Sequence, residues 1–289
     1  MAYHKTNNLD KQHINQFIKQ ALAEDVCDGD HTSLATIPLH TQGNAQLIIK
    51  EKGILAGIAI ALAIFNQVDS SLKVTQLLQD GDAVNFGNIA LTVSGNVHSI
   101  LIAERLVLNT MQRMSGIATT TNNIVQSLKN THTQVLDTRK TTPNLRFLEK
   151  MAVKIGGGVN HRKGLYDAIL IKDNHIDYAG GIAQALQAAQ QYIEKHKKLP
   201  LIIEVRNLNE LQQVLAIGGV DRILLDNFNF EQLKEAVKLI DGRFKTEASG
   251  GITPQNALDY ANCGVNYLSM GALTHSVKSL DMSLKAVKS

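Results

Sequence analysis

The pattern of hydrophobic and polar positions divides the chain near Gly116 into two parts with different rhythms. In the first part, Ile14, Phe17, Ile18 and Leu22 recur at helical spacing, which predicts an amphipathic helix over residues 10–24. Alternating or apolar runs predict strands at 45–50, 72–78 and 89–97, and apolar stretches predict helices at 54–65 and 100–114, the second broken at Ser115-Gly116. This part is predicted to be α+β, with a largely antiparallel sheet.

After Gly116, short apolar strands alternate with helices. The strands are predicted at 134–137, 168–171, 201–205, 222–225, 244–247 and 267–270, and the helices at 182–195, 208–216, 230–239 and 255–263. Such alternation predicts a parallel sheet covered by helices. Six strands are fewer than a complete β/α barrel needs, so an incomplete barrel and an open doubly wound sheet both fit this part of the chain.

Each of the six predicted parallel strands carries charged residues or glycines at its carboxyl end. In chain order these residues are Asp137-Thr138-Arg139-Lys140, Lys172-Asp173, Glu204 with Arg206, Asp226-Asn227, Ser249-Gly250-Gly251 and Ser269-Met270-Gly271-Ala272. Because ligands bind at the carboxyl ends of parallel strands in both candidate folds, we expect these residues to line one cleft.

The residues of this cleft are sorted by charge along the chain. Arg139, Lys140, His161, Arg162 and Lys172 form a basic cluster whose mutual repulsion favours an anionic ligand. The alternative is a set of salt bridges between these cations and nearby acids. Backbone N–H groups of glycine loops at helix starts bind phosphate, and barrels often place such loops after their last strands. The two glycine loops therefore predict a phosphate site.

Glu204 and Asp226 follow on consecutive predicted strands. Two carboxylates beside a phosphate site suit Mg²⁺, which usually takes one or two carboxylates together with phosphate oxygens. They could instead stabilise positive charge on a sugar, or one of them could simply pair with Arg139 or Lys172.

The segment from Asp28 to Ser33 is interpreted as a turn with a helix cap rather than a metal site.

Composition narrows the choice of protein class. The 289 residues carry 29 Lys+Arg against 26 Asp+Glu, a net charge of +3, and aromatic residues make up only 4%, which argues against a nucleic-acid partner. Cys27 and Cys263 form neither a disulfide framework nor a metal-ligand spacing. The apolar run over residues 53–65 is too short to span a membrane, and residues 1–10 lack a signal core. We therefore expect a cytoplasmic protein.

Four common catalytic and nucleotide-binding motifs are missing from the sequence. It contains no P-loop, no strand-linked G-x-G-x-x-G, no H-E-x-x-H and no G-x-S-x-G. These absences argue against a nucleotide triphosphatase, a dinucleotide enzyme, a zinc protease of that type and a serine hydrolase of that type.

A series of ordered motifs over nearly the whole chain resembles the quinolinate phosphoribosyltransferases, also called nicotinate-nucleotide pyrophosphorylases (carboxylating). The motifs are Glu24-Asp25, Gly29-Asp30-His31-Thr32-Ser33, Glu104-Arg105, Leu108-Asn109, Ser115-Gly116-Ile117-Ala118-Thr119, Asp137-Thr138-Arg139-Lys140-Thr141-Thr142-Pro143, Gly156-Gly157-Gly158, Asn160-His161-Arg162, Leu170-Ile171-Lys172-Asp173-Asn174-His175, Leu224-Leu225-Asp226-Asn227-Phe228, Ala248-Ser249-Gly250-Gly251-Ile252 and Gly271-Ala272-Leu273-Thr274-His275-Ser276.

The resemblance implies a fold and an assembly. An N-terminal α+β open-sandwich domain is expected over residues 1–115, joined by the C-terminal tail 273–289. An incomplete parallel β/α barrel is expected as the catalytic domain over residues 116–272. The family forms homodimers in which each active site borrows an arginine from the partner, and Arg105 matches that arginine.

The resemblance also implies a reaction: quinolinate and 5-phosphoribosyl 1-pyrophosphate yield nicotinate mononucleotide, pyrophosphate and CO₂. It assigns Thr138, Arg139, His161, Arg162 and Lys172 to quinolinate. It assigns the catalytic residues Lys140, Glu204 and Asp226 to phosphoribosyl pyrophosphate and its Mg²⁺. The loops Ser249-Gly250-Gly251 and Met270-Gly271-Ala272 match the cradle of the 5′-phosphate. Two alternatives stay open: a related transferase acting on another heteroaromatic carboxylate, and a non-catalytic barrel that binds phosphate esters.

The third predicted strand departs from the family pattern. Family members often read Glu-Val-Glu-Val-Glu there, whereas this chain reads Ile202-Ile203-Glu204-Val205-Arg206. Alternate residues of a strand share one face, so Arg206 is expected on the face of Glu204. A pairing of these two side chains would weaken metal binding at Glu204.

Overall fold

The computed structural model describes the backbone of residues 8–287 and the side chains of residues 12–287. Most of the 1–10 segment, in which no signal core was expected, lies outside the described residues. The chain forms two compact units, one of residues up to Thr119 together with those from Lys278, the other from Thr120 to Val277. Both divisions fall a few residues beyond the predicted boundaries at 115 and 272.

The elements follow one another along the described chain. The helices are α1 (Asn8–Val26), α2 (His31–Thr36), α3 (Ile58–Val68), α4 (Val97–Ser127), α5 (Arg146–Ile155), α6 (Asp173–Ala179), α7 (Ile182–Lys195), α8 (Leu208–Ile217), α9 (Phe230–Ile240), α10 (Ala257–Ala261) and α11 (Ala272–His275). The strands are β1 (Gln42–Ile49), β2 (Gly53–Ile54), β3 (Lys73–Gln76), β4 (Ala83–Val84), β5 (Ile89–Asn96), β6 (Gln134–Leu136), β7 (Ile169–Ile171), β8 (Leu201–Val205), β9 (Arg222–Asp226), β10 (Lys245–Ser249), β11 (Tyr267–Ser269) and β12 (Met282–Val287).

The first unit is built on an antiparallel sheet in the order β12-β1-β5-β3, as its alternating pattern predicts. The C-terminal tail supplies β12, which pairs with β1 from Asn44 opposite Val287 to Ile49 opposite Met282. Inward residues of β1 such as Leu47 and Ile49 are fully buried. Among the described residues, no helix combines the length and the apolarity needed to cross a bilayer.

The second unit is built on a parallel sheet in the order β6-β11-β10-β9-β8-β7. Read as a ring, this order follows the chain, and the break falls between β6 and β7. A doubly wound sheet would instead reverse direction at a switch point, so the order is that of an incomplete barrel. All five residues of β8 are buried, which is typical of a parallel strand covered on both faces. The predicted fold class is confirmed.

The break predicted at Ser115-Gly116 is wrong, because α4 continues through both residues. The Ser115 hydroxyl accepts the N–H of Ala56 at 2.8 Å and donates to its carbonyl at 3.1 Å. A Cβ at Gly116 would lie 2.2 Å from the carbonyl oxygen of Lys278. The two small residues therefore serve close packing on this helix rather than its termination.

The helix predicted over 54–65 starts later, at Ile58, because Gly53 and Ile54 pair with β4 as strand β2. Gly57, with φ of 101°, turns the chain into α3, and Asp80 accepts the N–H of Ile58 at 2.9 Å. The predicted helix cap in the Asp28–Ser33 turn is present, since Asp30 accepts the N–H of Ser33 at 3.1 Å and caps α2.

Candidate active site

The parallel strands bring their carboxyl ends, and the polar residues that follow them, to one edge of the second unit. Ser249 lies beside Asp226 in the β9–β10 register, and the N–H of Met270 donates to Leu136 at the end of β6. This placement follows from strand direction alone, because every strand of the sheet is parallel to its neighbours.

Arg139 and Arg162 form the basic centre of this edge. Arg139 follows β6 and is exposed, whereas Arg162 lies before β7, is half-buried and donates from Nη1 to the carbonyl of Ala168 at 3.2 Å. Burial, and then the neighbouring charge of Arg139, lowers the pKa of Arg162 below its usual range, while Asp167 acts in the opposite direction. The two guanidinium groups repel each other, so an anion bound between them would offset this unfavourable electrostatic interaction.

Lys172 pairs with Glu204 across neighbouring strands, with Nζ 2.7 Å from Oε2. The Glu204 side chain is only 8% exposed, against 45% for Lys172. Burial raises the pKa of Glu204, the hydrogen bond and charge of Lys172 lower it, and the charge of Asp226 raises it again. One of the alternatives considered from the sequence, the pairing of an acid with Lys172, is therefore present in the structure. The pair joins a residue predicted to bind quinolinate to one predicted to bind phosphoribosyl pyrophosphate.

Arg206 does not pair with Glu204, so the pairing that would have weakened metal binding there is not formed. Strand β8 ends at Val205, so Arg206 lies beyond the alternation that would put it on the face of Glu204. Its guanidinium binds Glu210, one turn along the chain, with Nη2 2.7 Å from Oε1, and lies 3.6 Å from Asp177. Arg206 is consequently occupied by other acids, and Glu204 pairs with Lys172 instead.

Glu204 and Asp226 suit a divalent cation that arrives with a phosphate ligand. Asp226 lies close enough for its charge to raise the pKa of Glu204. Within the described residues, no three His, Cys, Asp or Glu side chains are grouped so as to hold a metal by themselves. Two carboxylates without a complete cage fit Mg²⁺, which keeps water and takes its other oxygens from substrate phosphates.

The glycine loops have the backbone geometry of close approach. Gly250 has φ of 94°, and a Cβ there would lie 2.1 Å from Oδ1 of Asn227. A Cβ at Gly271 would lie 2.9 Å from Cδ of Lys140. Gly251, with φ of 61°, faces open space. Glycine is therefore required at Gly250 and Gly271 by packing, and at Gly250 and Gly251 by backbone conformation.

The Lys140 backbone is fixed by hydroxyl groups. Its N–H donates to Thr138 Oγ1 at 3.0 Å, and its carbonyl accepts from Thr274 Oγ1 at 2.7 Å. Ala272 begins α11, whereas Met270 is buried and its N–H is already used by Leu136. Met270 thus contributes to the loop mainly as an anchor.

His161 points into the barrel. Its Nδ1 accepts the N–H of Arg162 at 2.7 Å, and its Nε2 lies 3.4 Å from Oε1 of Glu247. Glu247 also accepts from Arg222 at 2.8 Å. Burial opposes the charge of Glu247, but the hydrogen bonds and charges of His161 and Arg222 keep its pKa below the usual range. The predicted role of His161 as a quinolinate ligand stays a prediction, and both ring nitrogens already face groups of the protein.

A buried network beside the site was missed by the sequence analysis. Asp137, expected at the rim, is fully buried and pairs with Lys150 of α5, which is 2% exposed. The available signal was the position of Lys150, between the apolar residues Leu148 and Ala152 on the buried face of α5. A lysine on such a face needs an acidic partner.

Arg105 lies on α4 in the first unit, where it is exposed while Ala103 and Leu106 beside it are buried. Its predicted role at a partner's active site stays a prediction.

Comparison with known proteins identifies the family. The family model described as "Quinolinate phosphoribosyl transferase, C-terminal domain" matches residues 117–285, and the one described as "Quinolinate phosphoribosyl transferase, N-terminal domain" matches residues 30–115. A Nicotiana tabacum protein named "Quinolinate phosphoribosyltransferase [decarboxylating] 2b, mitochondrial" is 47% identical over 288 residues, covering 94% of this chain and 82% of the relative. A Bacillus subtilis protein named "Probable nicotinate-nucleotide pyrophosphorylase [carboxylating]" is 40% identical, covering 94% and 92%.

Solved structures agree with this result. The nicotinate-nucleotide pyrophosphorylase from Francisella tularensis superposes with a TM-score of 0.91 at 38% identity, covering 98% of both chains. NadC from Streptococcus pyogenes gives a TM-score of 0.88 at 40% identity, covering 94% of this chain and 96% of that one. The shared fold therefore includes both units.

Proposed function

The chain belongs to the quinolinate phosphoribosyltransferase family, and we propose that it converts quinolinate and 5-phosphoribosyl 1-pyrophosphate into nicotinate mononucleotide, pyrophosphate and CO₂ in de novo NAD biosynthesis. The observation that carries this proposal is the close placement of Arg139 and Arg162, whose charges act on each other at the barrel edge. A dicarboxylate offers each guanidinium its own anionic partner.

In the proposed reaction, the ring nitrogen of quinolinate attacks C1 of the ribose, and the bond from C1 to the pyrophosphate oxygen breaks. Arg139, Arg162 and Lys172 bind the two carboxylates, Thr138 lies beside Arg139, and His161 supports Arg162. Holding both reactants in line supplies a large part of the rate gain. Glu204 and Asp226 stabilise the positive charge that develops on the ribose.

The second step breaks the bond between C2 and its carboxylate. The electron pair stays on C2, where the cationic ring stabilises it, CO₂ leaves, and a proton is taken up at C2.

Lys140 and the two glycine loops are proposed to hold the phosphates of the second substrate. Lys140 lies against Gly271, and the open face of Gly251 leaves its backbone accessible to a phosphate. Glu204 and Asp226 would hold Mg²⁺, which when bound neutralises charge on the leaving pyrophosphate. Ser249 and Gly250 continue the same loop, and Met270 and Ala272 flank Gly271 in the other.

We further propose a homodimer in which Arg105 of one chain completes the quinolinate site of the other. Its exposure on an otherwise largely buried stretch of α4 supports this role, because a guanidinium there has no use in the core of its own unit. The free thiols of Cys27 and Cys263 suit a reducing compartment such as the cytoplasm, which is the location we propose.

The decisive experiment uses the purified chain with Mg²⁺, phosphoribosyl pyrophosphate and quinolinate labelled at the C2 carboxylate. Labelled CO₂ and nicotinate mononucleotide should appear in equal amounts, and neither should appear when phosphoribosyl pyrophosphate is left out. A parallel assay contains nicotinate in place of quinolinate.

Each alternative gives a different outcome. Turnover of nicotinate without turnover of quinolinate would identify a transferase for another ring carboxylate. Binding of phosphate esters without pyrophosphate release would identify an anion-binding barrel, and either outcome would overturn the proposal.

A further inference from the structure

A cluster of three side chains, two of them buried, lies at the segments that carry the two arginines. We call it the clasp and define it as the side chains of Asp137, Lys150 and Asn160. Lys150 Nζ donates to Asp137 Oδ1 and to the carbonyl of His161 at 3.1 Å. Asn160 Nδ2 donates to Asp137 Oδ2 at 2.5 Å and to the carbonyl of Lys150 at 2.9 Å. Asp137 Oδ1 also accepts the N–H of His161 at 2.8 Å.

The clasp joins the two segments that carry the arginines. Asp137 comes two residues before Arg139 at the end of β6, and Asn160 comes two residues before Arg162 in the segment between α5 and β7. Backbone hydrogen bonds between these segments stop at Asp137, whose N–H donates to Val159 at 3.2 Å. Beyond that point, side chains link the two segments. The clasp is the more buried of these links, and the half-buried Arg146 is another, since it donates from Nη2 to the carbonyl of Arg139 at 3.4 Å and from Nη1 to that of Lys163 at 3.0 Å.

The two segments need such a link because the groups they present repel each other. Burial, and then the charge of Arg139, lowers the pKa of Arg162, and both arginines lie in stretches without regular secondary structure. Without a restraint, repulsion would separate the guanidinium groups in the absence of substrate. A ligand would then have to supply the free energy of bringing them together, which lowers affinity.

The chemistry of the clasp fits a restraint rather than a reacting group. Asp137 is fully buried and accepts from Lys150, Asn160 and the His161 backbone, so its oxygens are used within the protein. Lys150 is equally enclosed. A buried acid and a buried lysine that pair with each other fix local geometry but do not contact a substrate.

We propose that Asp137, Lys150 and Asn160 are positioning residues that set the spacing of Arg139 and Arg162 for the two adjacent carboxylates of quinolinate. The inference rests on the proposed function. It assigns the clasp to quinolinate affinity and not to the phosphoribosyl pyrophosphate site, because the backbone of Lys140 is held separately by Thr138 and Thr274.

The test compares Asn160→Ala and Lys150→Met with wild type by steady-state kinetics in both substrates and by calorimetric titration of quinolinate. For each variant, KM and Kd for quinolinate should rise about tenfold or more, as loss of a buried hydrogen bond to a charged group implies. KM for phosphoribosyl pyrophosphate should stay within about threefold of wild type, because a threefold change corresponds to less free energy than the loss of one such hydrogen bond.

Thr133→Val is the matched control. Thr133 is buried just before β6 and donates to Val265 at 2.7 Å, at the opposite end of the strand from Arg139. The substitution removes a buried hydrogen bond from the same unit and leaves the clasp residues unchanged. A purely structural loss reduces the folded fraction, so it lowers apparent kcat and leaves both KM values unchanged.

The outcomes separate the two levels of inference. If wild type and Thr133→Val consume quinolinate, and the clasp variants keep its KM, the positioning role is overturned while the proposed function stands. If Lys150→Met does not fold, Asn160→Ala decides the matter, and if neither folds the clasp is a folding requirement and the positioning role is withdrawn. If wild type itself leaves quinolinate unchanged, the proposed function fails first.

Discussion

The two units of this chain bury different kinds of polar side chains. In the first unit, the described buried polar residues are neutral: Ser33, Thr110 and Ser115. In the second unit they include five charged ones: Asp137, Glu149, Lys150, Glu204 and Glu247. Removing a charge from water is costly, so a unit that retains several must compensate each one.

That compensation is visible for every buried charge of the second unit. Asp137 pairs with Lys150, Glu204 with Lys172, and Glu247 with Arg222. Glu149 accepts the N–H and the hydroxyl of Thr142, at 3.1 and 2.8 Å. All four acids lie on or beside segments that lead to the barrel edge. The contrast indicates that the first unit is held mainly by apolar packing, whereas the second also contains buried charges that are paired within the unit.

The largest effect should come from removing one of the paired arginines, which attacks the ligand site but leaves the buried pairs intact. Arg162→Ala should lower kcat/KM for quinolinate by about 10²–10³-fold, because a desolvated carboxylate then lacks its cation. Steady-state kinetics measures it. Lys163→Ala, an exposed cation one residue away, should change little. Near-normal turnover by Arg162→Ala would remove the anion site from the proposal.

The next effect tests whether the exposed charge of the first unit serves a second chain. Arg105→Ala should be nearly inactive, and so should Asp226→Asn. Mixing equal amounts after reversible dissociation should restore about a quarter of wild-type activity, because half the dimers are hybrids and each has one intact site. No recovery, with hybrid dimers demonstrated by mass spectrometry, would contradict a shared site.

Stability should respond differently to ion pairs in the two units. Lys150→Met leaves Asp137 buried without its cation and should cost about 3–5 kcal/mol of unfolding free energy. Lys278→Met breaks the exposed pair with Glu51, where Nζ lies 2.6 Å from Oε1, and should have little effect. Urea unfolding with matched m-values compares them. Equal losses of unfolding free energy in the two variants would contradict the proposed difference between the units in how they depend on ion pairs.

The smallest effect concerns the acid limb of the pH profile. Burial raises the pKa of Glu204, so its carboxylate becomes protonated as pH falls through a value above that of an ordinary glutamate. Activity should decline there. Lys172→Met removes the cation that lowers this pKa, so the limb should move to higher pH in kcat/KM for phosphoribosyl pyrophosphate. Lys163→Met should leave the limb in place, and an unmoved limb in Lys172→Met would exclude Glu204 as its source.

Sequence reasoning worked best where a residue's neighbours along the chain decide its structure. The six barrel strands and the positions of Arg139, Arg162 and Lys172 at or near their ends were predictable because period and polarity change together there. Boundaries were less accurate: α10 is shorter than the predicted 255–263 helix, and α5 was missed. Lys150 inside α5 interrupts the apolar pattern, and its partner is distant in sequence.

The sequence by itself determined an antiparallel first part, a parallel second part, and a set of charged and glycine-rich strand ends, since these depend on local periodicity. Only the tertiary structure decided that the sheet is an interrupted barrel, that Lys172 and not Arg206 meets Glu204, and that Asp137 faces inward to Lys150. The physical reason is that strand order and ion pairing depend on which distant segments become neighbours, and the free energy of a charge depends on what surrounds it.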